Sequence, residues 1–189
     1  MTLRNRAAVA VLTTSTLALA TLLGASAHAT EYQPPGSSGL VFVLDGGRCS
    51  AFDPPDGVSA NEFVDLNDRG QVAGTYSDSD AGASHGFLRE KRGRFTRFDA
   101  PDAKLTFPTD INDRGQIAGF TTDALPLPTA TDIQGFVLKN GPTGPFTRID
   151  YPGASRTIVF GLNDRGSITV VYENPNATPP SAVRPEEDR

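Results

Sequence analysis

One tetrapeptide occurs three times. Asn67-Asp68-Arg69-Gly70 returns as Asn112-Asp113-Arg114-Gly115, 45 residues on, and as Asn163-Asp164-Arg165-Gly166, a further 51 residues on. A period of this size means that one supersecondary unit is copied along the chain, each copy hiding its apolar faces against its neighbours. The flanks repeat in the same order. A Gly-apolar opening comes first (Gly39-Leu40-Val41, Gly86-Phe87-Leu88, Gly135-Phe136-Val137), followed by an apolar-acid pair close to a proline (Phe52-Asp53-Pro54, Phe98-Asp99-Ala100-Pro101, Ile149-Asp150-Tyr151-Pro152). After the tetrapeptide stands Gln71-Val72-Ala73-Gly74, then Gln116-Ile117-Ala118-Gly119, then the altered Ser167-Ile168-Thr169-Val170.

Each unit reads as four short strands, because its apolar runs are brief, rich in β-branched and aromatic residues, and separated by Gly, Pro, Asn and Asp. In the middle copy the strands fall at about 86–90, 95–99, 108–111 and 116–121. The tetrapeptide joins the last two as a hairpin. Asn67 and Asp68, Asn112 and Asp113, and Asn163 and Asp164 bond their own turn backbone, while Gly70, Gly115 and Gly166 take the left-handed conformation that closes it. The runs Val41-Phe42-Val43-Leu44 and 168–172 do not alternate apolar with polar residues, which predicts strands covered on both faces. With 19 glycines, 15 prolines and no tryptophan in 189 residues, a helical bundle is excluded. The fold class is all-β, with three repeats of about four strands spanning 39–85, 86–134 and 135–172. The period fits the blades of a partial or dimer-completed β-propeller, and three four-stranded units also fit a β-trefoil.

The middle copy, from Asp110-Ile111-Asn112-Asp113-Arg114-Gly115 through Gln116-Ile117-Ala118-Gly119, resembles the extracellular repeat of the bacterial HAF family. So do His85-Gly86-Phe87-Leu88, which Tyr76-Ser77-Asp78 leads into through Gly82, and Phe95-Thr96-Arg97-Phe98-Asp99-Ala100-Pro101. The likeness covers roughly residues 39–172 in three copies. It implies a secreted repeat protein of propeller-like β architecture, and it supplies no catalytic residues. The chain departs from the pattern in two places: the histidine before Gly-Phe is Ser38 and Gln134 in the other copies, and the last unit lacks the Gly after its tetrapeptide.

The ends are unlike the repeats. Residues 1–29 carry Arg4 and Arg6, an apolar run and the small-x-small ending Ala27-His28-Ala29, the pattern of a secretory signal peptide cleaved after Ala29. Residues 30–38 read as a flexible linker and 173–189 as a disordered, proline-rich acidic tail. No apolar stretch after the leader is long enough to span a bilayer. All 22 acids but only 15 of the 17 bases follow Ala29, so the processed chain carries −7. Such a charge opposes binding to nucleic acid, which Lys and Arg drive by releasing counterions. These features point to a secreted or envelope-associated protein.

The chemistry available is sparse. His85 is the single histidine after the leader; a catalytic role needs a carboxylate and a nucleophile beside it, with Ser84, Asp78 and Asp80 near in sequence. The plainer reading is a histidine hydrogen-bonded locally where a loop enters a strand. Asp78-Ser79-Asp80-Ala81-Gly82 offers two carboxylates that could weakly hold calcium, against the plainer reading of a solvated turn. The tetrapeptide itself puts arginine where a calcium loop needs oxygen. Arg69, Arg114 and Arg165 occupy equivalent turns, so on one rim they could present several guanidinium forks to an acidic glycan or carboxylate; the alternative is a solvated, charge-balanced turn. Cys49 aligns with Phe95 and Phe146, which predicts a buried thiol, an intermolecular disulfide being the alternative.

With no nucleophile motif, metal cluster or phosphate-cradling loop, the expectation is a non-enzymatic binding or structural module without a cofactor. Its partners would be a glycan, an envelope protein or itself. A carbohydrate lyase or glycosidase with residues assembled across blades is the runner-up, and a purely self-associating structural protein is a third reading.

Overall fold

The computed structural model describes residues 8–13, 39–45, 48–52, 54, 60–77, 82–124, 130 and 132–173. They form thirteen strands and no helix: β1 (Ala8–Thr13), β2 (Gly39–Asp45), β3 (Arg48–Phe52), β4 (Ala60–Leu66), β5 (Val72–Ser77), β6 (Ser84–Arg89), β7 (Phe95–Phe98), β8 (Leu105–Ile111), β9 (Ile117–Thr122), β10 (Gln134–Leu138), β11 (Phe146–Ile149), β12 (Arg156–Leu162) and β13 (Ile168–Glu173). The protein is all-β. No described helix is long and apolar enough to cross a membrane.

The strands pair as antiparallel meanders. β4-β5-β6-β7 form one sheet and β8-β9-β10-β11 a second, with a single parallel bridge, Ser84 opposite Leu105, joining β6 to β8. β12 and β13 form a two-stranded third sheet, and β1-β2-β3 a three-stranded first one. The sheets keep the period of the sequence but are displaced by two strands from its Gly-apolar opening. That opening starts the third strand of a sheet. The step to the next sheet falls instead at Pro101 and Pro152, in the turns that follow β7 and β11. Periodicity gives the repeat length and leaves its phase free.

Each core cluster is shared between consecutive sheets. Val41 and Phe52 meet Val72, Tyr76 and Phe87; Ala73, Leu88 and Phe98 meet Ile111, Ile117, Phe136 and Leu138; Ala118 and Val137 meet Val159 and Leu162. A sheet between two others is therefore covered on both faces. This explains why β9 is buried along its whole length and why its sequence does not alternate. Burying a Phe as fully as Phe87 or Phe120 contributes roughly 1.5–3 kcal/mol.

The recurring Ala-Gly makes room for an aromatic ring on the neighbouring strand of the same sheet. Gly74 pairs with Phe87, and a Cβ on it would stand 2.8 Å from that ring. At Gly119 a Cβ would lie 2.2 Å from the Phe107 carbonyl oxygen and 2.8 Å from the Phe136 ring.

The last sheet breaks the pattern. β13 was expected to be covered on both faces, yet it alternates between half-buried and exposed residues, with Val171 57% exposed. No further strand pairs with it among the described residues. β13 also runs one residue beyond the end expected for the repeat domain, to Glu173. Of the leader, only β1 is described. The expected linker lies outside the described residues, as does the tail after Glu173.

Candidate functional site

The three tetrapeptide turns are built alike and joined to one another. Asn67 Oδ1 accepts the N–H of Arg69 and of Gln71 at 3.1 and 3.0 Å, and Gly70 N–H donates to the Asn67 carbonyl. Asn112 repeats these bonds with Arg114, Gln116 and Gly115, and Asn163 with Arg165, Ser167 and Gly166. Gly70, Gly115 and Gly166 have φ of 76°, 73° and 85°, a region that favours glycine.

The asparagine amide then reaches the next turn. Asn67 Nδ2 donates to the Asn112 carbonyl at 2.9 Å, and Asn112 Nδ2 to the Asn163 carbonyl at 3.0 Å. Asp113 Oδ1 accepts the Asp68 N–H at 2.7 Å, and Asp164 Oδ1 accepts the Asp113 N–H at 2.8 Å. The turns thus form one row. Arg69, Arg114 and Arg165 are exposed along it, one per turn. The sequence gives these residues a local turn role; their second role, holding one unit to the next, is marked only by their recurrence.

A pair of carboxyl groups lies just inside the row and was not singled out from the sequence as a pair. Asp65 Oδ2 accepts the Ile111 N–H at 2.9 Å, and Asp110 accepts the Leu162 N–H. The two acids also hydrogen-bond each other. Burial, the bond to Asp65 and the Asp65 charge outweigh the N–H donors of Leu162 and Ile111 and push Asp110 up to about 7. The third copy carries Gly161 at this place. Recurrence at the spacings of the tetrapeptide is the signal that would have shown the pair.

His85 is buried on β6, with Nδ1 2.6 Å from Asp99 Oδ1. Arg97 Nη2 lies 2.9 Å from Nδ1 and 3.1 Å from Nε2, and the Tyr76 ring is 5.3 Å away. Among the described residues the carboxylate that meets His85 is Asp99, 14 residues away on the far side of a hairpin. Ser84 pairs through its backbone with Ser77 across the sheet. Asp78 and Asp80 lie outside the described residues, and among the described residues no three His, Cys, Asp or Glu side chains are grouped to hold a metal. The backbone of Cys49 sits on β3 opposite Leu44; its side chain lies outside the description, and with it the expected burial.

An open cleft of about 420 Å³ lies between the turn at Pro101 and the outer strands of the second sheet. Asp102, Thr122, Asp123, Asp132, Gln134 and Arg148 line it. Burial raises the Asp132 carboxyl, but hydrogen bonds from Thr122 Oγ1 and the Asp123 N–H prevail and hold it below its ordinary value.

No family model and no curated protein matches the chain. Among solved structures it is similar to a streptogramin B lyase, with a TM-score of 0.31 and 16% identity over 74% of this chain. The matched part spans 63% of that structure's chain.

Proposed function

We propose that this chain is an exported, non-enzymatic β-repeat module of propeller type, related to the HAF repeat. It acts by binding an acidic glycan at or outside the cell envelope. The observation that carries this reading is the row of turns. Hydrogen bonds fix Asn67, Asn112 and Asn163 in line, so three equivalent arginines stand exposed at regular places on one edge. Guanidinium groups so placed match carboxylates repeated along a polysaccharide. Sheets stacked face to face favour the propeller over the trefoil.

Binding of the full chain to polygalacturonate tests the reading. Each exposed ion pair contributes only about 0.2–1 kcal/mol, so the triple variant Arg69→Gln, Arg114→Gln, Arg165→Gln should weaken binding about tenfold, with affinity falling as salt rises. Unchanged binding removes the row from the site. Binding to an envelope protein instead would redirect the search for a ligand.

A carbohydrate lyase or glycosidase has one observation in its favour, the His85–Asp99 contact. Arg97 and Asp99 satisfy that imidazole and no nucleophile among the described residues is shown bonded to it, so the contact supports a structural role better than turnover. Polysaccharide cleavage that disappears in His85→Ala, with the melting curve preserved, would reverse this ranking.

A further inference from the structure

In each complete sheet the second strand passes to a third: β5 to β6, and β9 to β10. In the last sheet the second strand is β13, which pairs with β12 on one edge and with no strand on the other among the described residues. The first sheet is its complement. β2 and β3 form the hairpin made elsewhere by third and fourth strands, and β1 fills the place of the second. Packing confirms that place: β4 lies against β1 and β2 as β8 lies against β5 and β6, and as β12 lies against β9 and β10. But β1 belongs to the segment read as the export leader. A chain that loses its leader keeps the place and loses the occupant.

The rest of the last sheet is also prepared for a neighbour. The exposed large hydrophobics among the described residues are Tyr151, Phe160, Val171 and Tyr172, all on this sheet or the turn leading into it. An uncovered apolar edge of this kind is a template for another strand. The turn row has unused ends as well. Among the described residues Asn163 Nδ2 and the Asp164 N–H, which would reach a fourth turn, have no such partner, and at the other end the Asp68 carboxylate is exposed.

We infer that, in the processed chain, the free edge of β13 pairs antiparallel with the vacated edge of β2 in a second copy. The four-stranded unit β12-β13-β2-β3 is then built from two chains. β4 of the second copy covers Phe160 and Val171 of the first, and its Asn67 carbonyl and Asp68 carboxylate accept from Asn163 and Asp164. The contact is head-to-tail, so reciprocal pairing closes a two-chain ring. The inference rests on the export reading, because β1 has to leave.

The test uses the full gene expressed in a secreting host, the N-terminus of the exported chain read by mass spectrometry and its mass by light scattering over a range of concentrations. Wild type should lack residues 8–13 and have at least twice the monomer mass. Val171→Lys and Asp68→Ala, at exposed positions on the two sides of the contact, should each weaken association at least tenfold while leaving the circular dichroism unchanged. Mixing the two variants should restore a pair, since each supplies the side the other lacks. An exported chain that keeps residues 8–13 overturns the inference through the export reading. A processed chain that stays monomeric, variants that associate like wild type, or a mixture that fails to pair overturns the contact itself.

Discussion

Asn112 serves two structures at once. Its Oδ1 holds two N–H groups of its own turn and its Nδ2 donates both to Gln116 and to the Asn163 carbonyl, all from a buried side chain. Removing a buried partner leaves the others unsatisfied, at about 1–3 kcal/mol for each group so stranded. In the unassociated Val171→Lys chain, where no second copy meets the terminal turn, Asn112→Ala should therefore destabilise by several kcal/mol and Asn163→Ala by about 1 kcal/mol. Urea denaturation of the two variants side by side measures the difference; equal losses would mean that the bond between turns contributes nothing. Gly115→Val tests the turn alone. At φ 73° a β-branched residue is strained, and a loss of about 1–3 kcal/mol is expected.

At the scale of strands and sheets, glycine again decides what fits. Gly119→Ala puts a methyl 2.2 Å from the Phe107 carbonyl oxygen, so β8 and β9 have to separate. The expected cost is about 2–4 kcal/mol, larger than an ordinary strand substitution, and thermal melts would show it. Val170→Ala on β13, in the chain kept unassociated by Val171→Lys, should cost about 1 kcal/mol or less, because no third strand lies across it and only its partial packing on the third-sheet core is trimmed. If the two substitutions cost the same, the close approach at Gly119 is not what its glycine is for. Much of this layer was legible in the sequence. The tetrapeptide gave the hairpins, and the short β-branched runs gave the strands of the middle copy to within a few residues. The covering of β13 was misread. A non-alternating run such as Ile-Thr-Val-Val-Tyr shows that both faces are apolar, not that anything lies on them. For His85 the partner Asp99 follows from hairpin register, which the residue spacing around His85 does not reveal.

Across the whole molecule, the sheets are tied to one another by groups that titrate. Asp65 and Asp110 each accept an N–H from the following unit and share a hydrogen bond, an arrangement that needs one of them protonated. Asp110 keeps its proton to about pH 7 in the folded chain, whereas an unfolded aspartate releases it near pH 4. The folded state therefore binds more protons between these values, and stability falls with rising pH across that window. The contribution is complete below about pH 4, declines through neutrality and is gone above the folded value. Solvent reaches both carboxyl groups, so the change is on the order of 1 kcal/mol, a few degrees in melting temperature. Asp110→Asn keeps an acceptor for the Leu162 N–H and a donor for Asp65 but cannot ionise. Its melting temperature should be nearly level between pH 4.5 and 7.5 relative to wild type, and higher than wild type at pH 8. Subtracting the two pH profiles isolates Asp110 from every other group that titrates in the window. A variant that tracks wild type in parallel across the whole range would show that the pair does not share a proton. Loosening would then have to begin elsewhere than at the junction of the first and second complete sheets.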